Sequence, residues 1–351
     1  MQASWMLRAA LALGAGLAIA LAAASADAQN RVRWKMHSAY GGKLAILGTS
    51  GPKIEQRVER VSGGSFQLKF YEPGALVPAL QYYDAVAQGS IDAGWGAAGF
   101  YVAKNPAYAF FSSVPFGPGA GEYIAWMAYG GGDELWNELL AKDGIKGLLC
   151  GILPPEASGW FRKEITSLDQ LRGMKMRFYG LGARVMERFG VSTQLLAPGD
   201  IYPALELGTI DATELSVPQI DEGLGFFQVA KHYYFPGWHQ QSTLADLLLN
   251  KKQFDDLSDT HKVVLETVCG YQIYANLAEG EASQFSAMQR IQQKGVTLHT
   301  WSPEVLAAFE KAWKETIADE IAKSPDMKKI YDSYSQFRAN YAIWKDRGYL
   351  Q

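Results

Sequence analysis

Tyr83-Asp84-Ala85-Val86-Ala87-Gln88-Gly89-Ser90-Ile91-Asp92-Ala93 and Tyr202-Pro203-Ala204-Leu205-Glu206-Leu207-Gly208-Thr209-Ile210-Asp211-Ala212 are two runs of one pattern. Tyr, Ala, Gly, Ile, Asp and Ala recur at identical spacing. Each run reads as a short helix, a glycine that closes it in the left-handed conformation, and a strand entering a sheet. Any α/β protein contains such units, but agreement of this kind points to two related lobes, each with its own sheet. The strand after each Asp-Ala then ends at a shared cleft, where open α/β sheets bind ligands.

The surrounding sequence continues this alternation. Val32 to His37 and Ser65 to Tyr71 alternate as strands, and Lys43 to Val61 between them reads as a helix kinked at Gly51-Pro52. Helix and strand alternate to about Val217, which predicts an α/β protein with largely parallel sheets. Ser258 then caps a proline-free helical run to Lys294, roughly 50 Å long if unbroken at Gly270 and Gly280. Val296 to Thr300 is a strand. Ser302-Pro303-Glu304 opens a further helical region to Phe337, with a break near Ser324-Pro325. Leu306, Phe309, Trp313, Ile317 and Ile321 form one apolar stripe that needs a partner surface.

The first residues are expected to lie outside the fold. One positive charge within Met1 to Arg8, an apolar run from Ala9 to Ala24, and Ala26-Asp27-Ala28 describe a secretory signal cleaved before Gln29. The mature chain is then exported to the periplasm. The expected organisation is a signal at 1–28, a first lobe at 29–151 with part of 238–300, and a second lobe at 152–237. A spanning helix at 258–294 and a helical C-terminal extension at 302–351 complete it. The 33 basic and 36 acidic residues leave a net charge of −3, with no basic stripe for nucleic acid. Cys150 lies in an apolar strand and Cys269 in a helix. Export permits a disulfide, but two separately buried free thiols are the expectation.

Several chemistries are excluded by what the sequence lacks. The five histidines do not fall at metal-ligand spacing on one helix, and neither a G-x-S-x-G elbow nor a Walker A loop occurs. Gly180-x-Gly182-x-x-Val185 lacks the third glycine of a dinucleotide fingerprint. What remains is an ordered set of motifs. It comprises Gly159-Trp160-Phe161-Arg162-Lys163-Glu164-Ile165, Leu168-x-x-Leu171-x-Gly173-x-Lys175-x-Arg177, Gly180-Leu181-Gly182, the second copy extended to Glu214, and Gly237-Trp238-His239. Together these resemble the solute-binding proteins of tripartite ATP-independent periplasmic (TRAP) transporters, and within them the 2-oxo-acid-binding subgroup.

The resemblance implies the two-lobed periplasmic-binding-protein fold, hinged, with a long helix across both lobes. It implies transporter membrane subunits as partners and a 2-oxo or 2-hydroxy acid as ligand. Arg177 falls at the position of the arginine that grips the ligand carboxylate, a task its paired N–H donors suit at any pH. The subgroup also implies a bridging cation, held by Glu214, the Leu215 carbonyl, Glu156 and Gln240. All-oxygen donors suit Na⁺ or Ca²⁺, and no organic cofactor is expected. The subgroup has Gln at the position of Glu156 and Glu at that of Gln240, so the charge has moved from one wall to the other. Trp95, Phe100, Tyr101 and Tyr179 are candidate cleft walls. The resemblance further implies that the C-terminal helix is exchanged in a homodimer; the alternative is that the stripe packs on its own lobes. Two other functions share these residues: a sensor that presents the acid to a membrane receptor, and a hydrolase using Glu156 and Glu214 as paired carboxylates.

Overall fold

In the computed structural model, residues 31–349 are described; the signal expected at 1–28 lies outside them. The first sheet is built from β1 (Val32–Ser38), β2 (Phe66–Tyr71), β3 (Ala93–Gly96), β4 (Ile145–Leu153) and β10 (Thr243–Asn250), in the order β2-β1-β3-β10-β4. The second holds β5 (Gly159–Phe161), β6 (Lys175–Arg177), β7 (Ser192–Gln194), β8 (Ala212–Thr213), β9 (His232–Phe235) and β11 (Thr297–Thr300), in the order β11-β9-β5-β8-β6-β7. Each sheet anchors one lobe.

The repeated motif does the same work in both. Gly89 and Gly208 each take φ +72°, so the chain turns out of its helix without a Cβ clash. Asp92 then accepts the Lys35 N–H at 2.7 Å, and Asp211 accepts the Lys175 N–H at 2.9 Å. In this way each aspartate ties its own strand to the neighbouring parallel strand, β3 to β1 and β8 to β6.

The sheets are mixed rather than largely parallel. β10 runs antiparallel to β3 and β4, and β5 runs antiparallel to β8 and β9. The cause is the crossing between lobes. The chain leaves the first sheet after β4 and returns at β10, so strands at the crossings enter from the opposite end.

The helix Asp259–Gln293 is continuous through both glycines. Gly280 has a packing reason, since a Cβ there would sit 2.6 Å from Pro154 Cδ, at the start of the first crossing. Over its first half the helix packs on Leu47–Val61 and β4 of the first lobe, and at its midpoint Ser50 Oγ lies 2.9 Å from Asn276 Oδ1. Near its end it reaches the second lobe, where Glu222 accepts from Arg290 and Lys294, each at 2.7 Å.

Cys150 and Cys269 are not free: they form a disulfide that joins β4 to this helix. The pairing of β10 with β4 skips from Gly151 to Leu149, leaving Cys150 as an extra residue at a bulge. Strand alternation alone hides such a re-aimed side chain.

The C-terminal stripe finds its partner within the chain. Phe309 is buried against Phe189, Trp238 and Trp301, and Trp313 and Ile317 are buried beside it. The helix Pro303–Lys323 thus packs on the second lobe. After the break at Ser324, which caps the next helix, Pro325–Gly348 crosses back to the first lobe.

Candidate ligand-binding site

Arg177 ends β6, and Glu214 follows the neighbouring strand β8. Both are almost completely buried, at 1% and 0% exposure. Arg177 Nη1 donates to Glu214 Oε1 at 2.7 Å and to the Glu214 main-chain oxygen at 2.8 Å, while Nε donates to the Leu196 oxygen at 3.3 Å. The other Glu214 oxygen lies 3.4 Å from His239 Nε2. Burial alone would raise the Glu214 carboxyl; the Arg177 charge and the His239 contact reverse this and hold it below its ordinary range. The pair is therefore ionised, and its charges cancel.

Glu156 and Gln240 come from the two crossings between the lobes. The Glu156 N–H donates to the Gln240 oxygen at 3.1 Å, and the Gly237 N–H donates to the Glu156 oxygen at 2.9 Å, so the crossings form one hydrogen-bonded ribbon. Thr243 stands between their side chains. It donates to Glu156 Oε1 at 2.5 Å and accepts from Gln240 Nε2 at 2.8 Å. The remaining oxygens, Glu156 Oε2 and Gln240 Oε1, are buried without a partner. Burial pushes the Glu156 carboxyl well above its ordinary range; the Thr243 hydrogen bond opposes this, and the Glu214 charge adds to it.

The sequence-predicted walls divide. Phe100 bridges Tyr40 and Tyr179, at ring separations of 5.8 and 5.1 Å. Trp95 lies beneath Tyr40 and donates to the Leu47 oxygen at 2.7 Å. Tyr101 turns into the first lobe, where it donates to Asp246 at 2.7 Å within a cluster of tyrosines. Leu215 is half-buried and packs against both buried apolar clusters of the protein. Thr243, Tyr40 and Asp246 escaped the sequence reading. None belongs to a motif: Tyr40 follows β1, Thr243 opens β10, and Asp246 lies at the bulge within β10.

Among the described residues, no group of three or more His, Cys, Asp or Glu side chains gathers to hold a metal. A cation here must draw on amide and carbonyl oxygens as well as carboxylates. The two unpartnered oxygens of Glu156 and Gln240 are of that kind, hard donors fit for Na⁺ or Ca²⁺.

Residues 42–324 match the model of the bacterial extracellular solute-binding proteins, family 7 (DctP). The chain belongs to this family. Among relatives of this family 7 protein is a monocarboxylate 2-oxoacid-binding periplasmic protein of Nostoc sp., 33% identical over 313 residues, spanning 89% of this chain and 86% of that one. A TRAP transporter solute binding protein from Bordetella bronchiseptica RB50 is 35% identical with a TM-score of 0.87, covering 90% of this chain and 94% of that one. It is a mixed occupancy dimer, with copurified calcium and picolinate in one active site and an apo site in the other. A TRAP periplasmic solute binding protein from Pseudoalteromonas atlantica, with bound sodium and pyruvate, is 28% identical with a TM-score of 0.86 and covers 90% and 96%. The family and the two-lobed fold expected from the motifs are both borne out.

Proposed function

We propose that this family 7 protein is exported to the periplasm, where it captures a small 2-oxo or 2-hydroxy monocarboxylic acid together with a cation and delivers it to the membrane subunits of a TRAP transporter. The observation that carries the reading is a buried, self-neutralised Arg177–Glu214 pair beside two unpartnered oxygens. Nε and Nη1 of Arg177 are engaged within the protein; Nη2 is the donor assigned to the ligand carboxylate. The relatives that hold pyruvate with sodium, or picolinate with calcium, support a small carboxylate ligand with a cation.

Charge balance supports the cation. With Arg177 and Glu214 cancelling, a bound carboxylate and an ionised Glu156 add two negative charges in a buried site. A calcium ion neutralises both. A sodium ion neutralises one and suits a protonated Glu156, in line with the upward push on its carboxyl. Glu156, Gln240, Glu214 and the Leu215 carbonyl are the proposed holders; the ion would supply positive charge to the ligand's oxygens.

We assign binding without catalysis. Both Glu214 oxygens are engaged, by Arg177 and by His239, so Glu156 and Glu214 do not form a free acid–base pair. A homodimer through the C-terminal helix would rest on the exposed Ile343 and Trp344, because the Phe309 stripe is already covered. Calorimetry with pyruvate and calcium tests the site. Arg177→Ala is expected to weaken binding by at least about a hundredfold, and near-wild-type affinity in that variant would remove Arg177 from the site.

A further inference from the structure

Tyr179 follows Arg177 by two residues, yet its ring is seated in the other lobe. It is 5% exposed. Its phenol end lies so close to Gly99 that a Cβ built there would sit 2.1 Å from Cζ and 2.4 Å from the hydroxyl oxygen. The edge meets Phe100 at a ring separation of 5.1 Å, and the hydroxyl lies 2.6 Å from Ser112 Oγ. Gly99 and Phe100 continue directly from β3, and the Ser112 main-chain oxygen accepts the Leu244 N–H of β10 at 2.8 Å. The receptacle therefore belongs wholly to the first lobe. At its other end Tyr179 is tied to the charged site: its main chain helps hold the Glu214 carboxyl low, and the Arg177 guanidinium lies 5.8 Å from the ring centre.

We infer that Tyr179 is a positioning residue for ligand capture, a peg from the second lobe whose seating on Gly99, Phe100 and Ser112 sets how readily the lobes close. The physical argument is one of exclusion. Glycine at position 99 leaves room for the ring, and any side chain there removes it. Opening must unseat the ring, exposing its apolar face and the Gly99 backbone. Seating recovers that burial and exchanges water for the Ser112 hydroxyl. The peg stabilises the closed form whether or not a ligand is present. Because apparent affinity scales with the closed fraction, it also sets affinity without touching the ligand. The short link to Arg177 and Glu214 means that the strand end gripping the ligand also carries the peg.

The test has two arms, and only the second rests on the ligand proposed above. Cysteines introduced at Lys43 and Gly223, which line a crevice between the lobes, are bridged with a bismaleimide in ligand-free protein; the native cysteines are already paired. The bridging rate reports closure even when closure is rare. Gly99→Ala should slow bridging by at least about tenfold and weaken pyruvate–calcium binding in proportion. Tyr179→Phe, which loses only the hydroxyl, should have a smaller effect on both. The decisive variant is Gly99→Ala combined with Tyr179→Ala. With the ring removed, the added methyl should have no further effect beyond that of Tyr179→Ala alone. Equal bridging rates in wild type and Gly99→Ala would overturn the peg, as would full additivity of the two substitutions. If wild type binds none of the acids while Gly99→Ala still slows bridging, the ligand assignment fails and the peg stands.

Discussion

The two copies of the Tyr-x-Ala…Gly-x-Ile-Asp-Ala motif share their hydrogen bonds almost atom for atom and then diverge within three residues. Past Asp92 the first copy places Trp95, buried, with its indole bonded to the Leu47 oxygen. At the matching step past Asp211 the second copy places Glu214, buried, with its carboxylate on Arg177. One lobe therefore offers an apolar floor and a glycine receptacle, and the other offers the charges. The shared residues set where the strand ends are aimed, and the first residues that are free to differ set what each lobe contributes. A symmetric scaffold thus makes an asymmetric cleft.

Buried carboxyls sharpen this contrast. Glu214 has a cationic neighbour and is held low, whereas burial pushes Asp246 of the first lobe up to about 7 against one opposing hydrogen bond from Tyr101. The largest expected effect is Glu214→Ala, which leaves Arg177 buried without its counter-charge. It should cost about 3–5 kcal/mol of stability in urea denaturation at pH 7, and loss of binding alone with unchanged stability would contradict the pairing. Its contribution is present above the unfolded carboxyl value and is lost as pH falls below it. Asp246 has the opposite sign. The native state keeps a proton that the unfolded state has released, so stability falls as pH rises from about 4 to about 7. Asp246→Asn should flatten that slope and raise stability at pH 8 by roughly 1–3 kcal/mol; an unchanged pH–stability curve would refute it. The smallest effects test what the copies share. Asp92→Ala and Asp211→Ala should each lower stability by only about 1 kcal/mol. Asp211→Ala should leave calorimetric affinity within a factor of about two.

What was legible in the sequence followed from short-range physics. The strand from Ser65 to Tyr71, the Ser258-capped helix and the break at Ser324-Pro325 all depend on spacing, caps and proline, and each lies within a residue or two of where the pattern placed it. The periodic stripe at Phe309 was equally plain, but periodicity says only that a face is covered, not by what. The disulfide was hidden because it depends on one extra residue in the pairing of β4 with β10. Thr243, wedged between Glu156 and Gln240, was hidden because its role arises where two chain crossings meet, far apart in sequence from each other. Parallel sheets were expected from local alternation, and the antiparallel strands follow from the same crossings.

The Cys150–Cys269 bond closes a span of 119 residues and fixes the long helix to the first lobe. From Cys269 the helix runs on for 24 residues to Gln293, roughly 36 Å, and meets the second lobe through the ion pairs at Glu222. Ile291 is fully buried in the second lobe's core at that end, and the chain runs on into β11 of the second sheet. The helix is therefore a strut set into both lobes, so any change in the angle between them must be taken up by flexing along the strut and in the two crossings. In an oxidising compartment the first-lobe anchor of the strut is permanent. Reduction would release the first-lobe end and let the strut shift on β4 while its far end stays with the second lobe.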